Sequence, residues 1–133
     1  MYEAIAASND PRGILDLPPQ VRRTMATSRY FWFQTVHHHP VPWWPNVRTD
    51  ENGDVATMKA FLPPRASVGV RPRFEALSVE RIAHLRASYG WIVVHTDLDT
   101  LTQGAGESSR ILTEAFGEPA VEGAERVWTI AGR

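Results

Sequence analysis

The chain has 133 residues, enough for one domain that buries about two thirds of its unfolded surface. A hydrophobic fraction of 43%, a charged fraction of 22% and a net charge of −1 are those of an ordinary globular protein, and they give no electrostatic case for nucleic acid or acidic lipid as a partner. The absence of cysteine excludes disulfides, thiolate metal sites and cysteine nucleophiles. No apolar run approaches the roughly 20 residues of a membrane helix, and no signal peptide is visible after Met1, so the chain as it stands reads as a soluble fragment.

Residues 2–8 have short helical spacing, with Tyr2, Ile5 and Ala6 on one side. Asn9-Asp10-Pro11-Arg12-Gly13 predicts a turn, and Ile14-Leu15-Asp16-Leu17 a brief strand that Pro18-Pro19 stop. Residues 21–38 read as a helix, with Tyr30, Phe33, Gln34 and His37 on one face and Pro40 at its end. Prolines 40, 42 and 45 then hold residues 41–46 extended. A second short helix is expected over residues 54–62, and residues 65–75 fit either a strand or an ordered loop.

Ser78 is placed to cap a helix whose apolar stripe is Val79, Ile82, Leu85 and Tyr89, with Gly90 as its stop. Residues 91–95 follow as an apolar strand of the kind covered on both faces in parallel sheets. After Gly104 and Gly106, Ser108 or Ser109 is expected to cap a helix carrying Ile111, Leu112, Ala115 and Phe116, closed by Gly117. Residues 120–122 and 126–130 flank Gly123-Ala124 as a hairpin. Together these predict a single α/β domain over residues 1–133: a small, mainly parallel sheet flanked by helices, with a C-terminal antiparallel hairpin.

Three constellations bear on chemistry. His37-His38-His39 cannot converge on one metal while a helix continues, because neighbours point about 100° apart; the cluster reads as a helix end favoured by the dipole, with His84 and His95 able to join it only through the tertiary fold. Asp97 and Asp99, just beyond the apolar strand, resemble the opening carboxylate pair of haloacid-dehalogenase-type phosphotransferases. Too little chain follows for that family's remaining motifs, and Thr100 is out of place, so the plainer reading is a turn and a cap. The aromatics Tyr30 to Phe33, with Trp43 and Trp44 between prolines, fit a sugar-stacking or interaction surface, and equally a core filled with large side chains. Gly104-Ala105-Gly106 matches neither phosphate-binding fingerprint, and no serine stands in a nucleophile elbow. Nothing in the residues calls for a cofactor or a metal, and no catalytic residue is assigned.

Taken in order, several segments resemble the extracytoplasmic C-terminal region of bacterial polytopic membrane proteins related to GT-C glycosyltransferases, the dolichyl-phosphate-mannose-protein mannosyltransferase-like group. They are Ile14-Leu15-Asp16-Leu17-Pro18, then Arg29-Tyr30-Phe31-Trp32-Phe33-Gln34-Thr35-Val36-His37, then Leu85-Arg86-Ala87-Ser88-Tyr89-Gly90-Trp91-Ile92-Val93-Val94-His95, and finally Phe116-Gly117-Glu118-Pro119 with the strand through Trp128. The chain departs from the pattern at His38 and His39, where similar proteins have glycine and lysine, and at Trp43 and Trp44, which replace a glycine-rich stretch.

The resemblance implies a non-catalytic accessory domain at the outer face of the cytoplasmic membrane, next to the transmembrane portion of its parent. That group's catalytic carboxylates lie in the membrane portion, so none is carried over. Trp32, His37, Trp43 and Trp44 are then the candidate contacts to glycan or polyprenyl-linked sugar, and Asp97 and Asp99 the candidates for a ligand. Two other readings stand beside it: a small metal-dependent hydrolase or phosphotransferase using Asp97, Asp99 and Asp16, whose strand would lie beside residues 91–95, and a pure protein-interaction scaffold.

Overall fold

In the computed structural model of the chain the described residues are 2–17, 20–21, 24–25, 60–61, 74–96 and 104–130. Among the described residues, three helices, α1 (Tyr2–Ala6), α2 (Val79–Ser88) and α3 (Gly104–Phe116), accompany six strands. The strands are β1 (Gly13–Leu17), β2 (Gln20–Val21), β3 (Thr24–Met25), β4 (Tyr89–His95), β5 (Ala120–Glu122) and β6 (Glu125–Thr129).

Four of them form one sheet in the order β1-β4-β6-β5. β1 runs parallel to β4, β6 runs antiparallel to β4, and β5 closes the antiparallel hairpin with β6. The expected mainly parallel sheet is therefore a mixed one, with one parallel pair among the described strands. The reason lies in the last turn: Gly123 adopts φ 59, which lets β5 fold straight back on β6, and the hairpin docks through β6 on the free side of β4. Apolar continuity in β4 reflects burial on both faces, which a central strand of a mixed sheet needs as much as one in a parallel sheet.

Alternation along the strands gives the sheet two unlike faces. Leu15, Leu17, Ile92, Val94 and Trp128 point to one side, where they pack with Leu85 of α2 and with Ile111 and Leu112 of α3 in the larger apolar cluster. Phe61 and Phe74 join that cluster. Ile14, Trp91 and Val93 point the other way and meet Ile5 of α1 in a smaller one.

Ser78 caps α2 as its sequence suggests, its hydroxyl accepting from the Arg81 amide at 3.1 Å. The helix ends earlier than expected. Tyr89 is extended, at φ −126 and ψ 131, and both it and Gly90 belong to β4. Gly90 is thus no helix stop: it is the extra residue where the β1–β4 register slips between Gly13 paired with Tyr89 and Ile14 paired with Trp91. A Cβ there would lie 3.2 Å from Asp10 Oδ2.

Two further expectations are corrected. α3 begins at Gly104, so Ser108 and Ser109 lie within the helix, and Ser108 faces inward with Ile111 and Leu112. The helix predicted over residues 21–38 does not include its first residues, because Gln20–Val21 and Thr24–Met25 pair as an antiparallel ladder; residues 26–38 lie outside the described ones. Within the expected helix over 54–62, Ala60 is helical and Phe61 is in a turn, and the rest of that segment is likewise outside. Gly117, at φ 87, closes α3 as predicted.

Candidate functional site

Two polar residues interrupt the apolar strands of the sheet's smaller face. Asp16 alternates with Leu15 and Leu17 on β1, and His95 ends the run of β4. Parallel pairing sets Asp16 opposite Val93, so Asp16 and His95 project from the same face near the carboxyl ends of both strands. Asp16 has no solvent exposure and His95 is 3% exposed.

The two groups bond directly. A carboxylate has no proton to give, so His95 Nε2–H donates to Asp16 Oδ1, at 2.8 Å. The Tyr2 hydroxyl of α1 donates to the same carboxylate oxygen and lies 3.1 Å from His95 Nε2. The phenol ring also stacks on the imidazole, with ring centroids 6.4 Å apart. On the far side of the ring, Nδ1 faces Glu125 Oε1 of β6 at 3.8 Å. His95 is therefore addressed by α1, β1 and β6 at once.

The end of β4 is held in place by its neighbour. Thr96 donates twice to the Ala124 carbonyl in the hairpin turn, from its amide at 2.9 Å and from its hydroxyl at 2.6 Å. At the other end of β1, Arg12 grips both carboxylate oxygens of Asp10 and reaches the carbonyls of Arg86 and Ile130, each at 2.8 Å. The hydrogen bond to Asp10 raises the Arg12 pKa above its ordinary value, so the guanidinium stays charged. A comparable clamp holds the larger face: Glu107 accepts from the Phe74 amide and Arg110 donates to the Phe74 carbonyl.

Chemically, the closed cluster of Tyr2, Asp16 and His95 is a polar clasp. Its imidazole is engaged through Nε2 and almost wholly out of solvent, and no group of three or more metal-ligating side chains is found among the described residues. Of the residues singled out in the sequence, Trp32, His37, Trp43, Trp44, Asp97 and Asp99 all lie outside the described residues, as do His38 and His39. His84 is exposed on α2, edge-on to Tyr89 and apart from the cluster. Asp16 does lie on a strand beside residues 91–95, as the hydrolase reading requires.

The parts that sequence reasoning missed are Tyr2, Glu125 and the use of His95. A signal for two of the cluster's residues was present, since Asp16 and His95 are polar interruptions in strands otherwise apolar enough to be buried, and a buried polar residue is the informative kind. Comparison of the chain with known proteins gives no match to a family model, to a curated protein or to a solved structure.

Proposed function

We propose that this chain is a non-catalytic accessory domain of a bacterial membrane protein related to the GT-C glycosyltransferases. In this reading it stands at the extracytoplasmic face of the cytoplasmic membrane, beside the transmembrane portion of its parent. Trp32, Trp43 and Trp44 are its contacts to glycan or to a polyprenyl-linked sugar.

One observation supports it above others: the resembling segments that fall on described residues are framework. Residues 14–17 and 91–95 are the paired strands β1 and β4. Gly117, from the closing Phe116-Gly117-Glu118-Pro119 segment, accepts from the Trp128 indole at 2.8 Å and so ties that segment to β6. Motifs that build a sheet, with their one buried carboxylate–imidazole pair closed over by Tyr2, suit a domain that supports chemistry performed elsewhere in its parent.

The metal-dependent hydrolase or phosphotransferase is the second reading. It draws on the position of Asp16 next to β4, two residues from whose end Asp97 follows in sequence. A phosphomonoester and pyrophosphate hydrolysis assay with magnesium or manganese separates the two. The accessory reading predicts no turnover above the protein-free control. Metal-dependent turnover that disappears in Asp97→Asn and Asp99→Asn would replace it with the enzyme.

A further inference from the structure

We draw no further inference here: the strongest candidate, the exposed face of α2 formed by Val79, Ala83 and Ala87, is a stripe of small apolar side chains, and nothing in the structure shows what covers it.

Discussion

At the scale of single residues, the Asp16–His95 pair illustrates how a buried charge is retained. Removing one partner leaves the other buried and uncompensated, so Asp16→Ala and His95→Ala should each cost about 3–5 kcal/mol in urea denaturation. Replacing both with apolar residues of similar volume should cost less, because no charge is left buried and only the half-buried Tyr2 hydroxyl loses its bonds to the pair. Arg12 is a different case. Its two carbonyl partners and Asp10 need a planar fork, so Arg12→Lys should destabilise by about 1–3 kcal/mol although charge is conserved. The sign of its pH dependence follows from the raised pKa: a cation held charged contributes fully below its unfolded value and loses that contribution only as pH rises through the folded value. The difference in stability between wild type and Arg12→Ala should then be flat from about pH 7 to about pH 10.

At the scale of elements, composition and spacing were sufficient for several of those described, though not for the β2–β3 ladder. α1, β1, the body of α2, β4 and the hairpin all lie where their residues suggest. The boundaries were harder, for reasons that are tertiary. Tyr89 has helical spacing from Leu85 and Ile82, yet it is extended because β4 pairs with β1 from Tyr89 onward. Gly90 has the look of a helix stop, but its requirement is the register slip and the carboxylate of Asp10 beside it. Gly90→Ala should therefore cost about 1–3 kcal/mol, as overpacking does, measured by thermal or chemical unfolding. The parallel content of the sheet was overestimated because a buried apolar strand does not reveal the direction of its neighbours. In the hairpin, Gly123 sits at φ 59, and Gly123→Val should cost about 1–2 kcal/mol for the same reason that left-handed backbone favours glycine.

At the scale of the whole molecule, the two faces of the sheet differ in what they bury: the larger apolar cluster on one, and a smaller cluster beside the Asp16–His95 pair on the other. The larger cluster holds the fold, so Leu85→Ala should cost about 2–5 kcal/mol. Val79, 81% exposed at the start of α2, packs against little, and Val79→Ser should stay within about 0.5 kcal/mol of wild type. The cluster of Tyr2, Asp16 and His95 was only half legible: Asp16 was placed beside the right strand from its sequence, but nothing in the linear chain pairs Tyr2 with residues 14 and 93 positions away.

The reading of the chain as a sugar-contacting accessory domain is tested most directly by its own tryptophans. Trp91 and Trp128 are buried in the sheet and provide a constant background, leaving Trp32, Trp43 and Trp44 as reporters of a ligand. Tryptophan emission would be followed while oligosaccharides and polyprenyl-phosphate head-group analogues are titrated into the wild type and into Trp43→Ala and Trp44→Ala. The account predicts a saturable, sugar-dependent change that is lost in both variants and kept in Asp16→Asn. Silence toward every sugar, or a response to divalent metal and phosphate alone that Asp16→Asn removes, would contradict it.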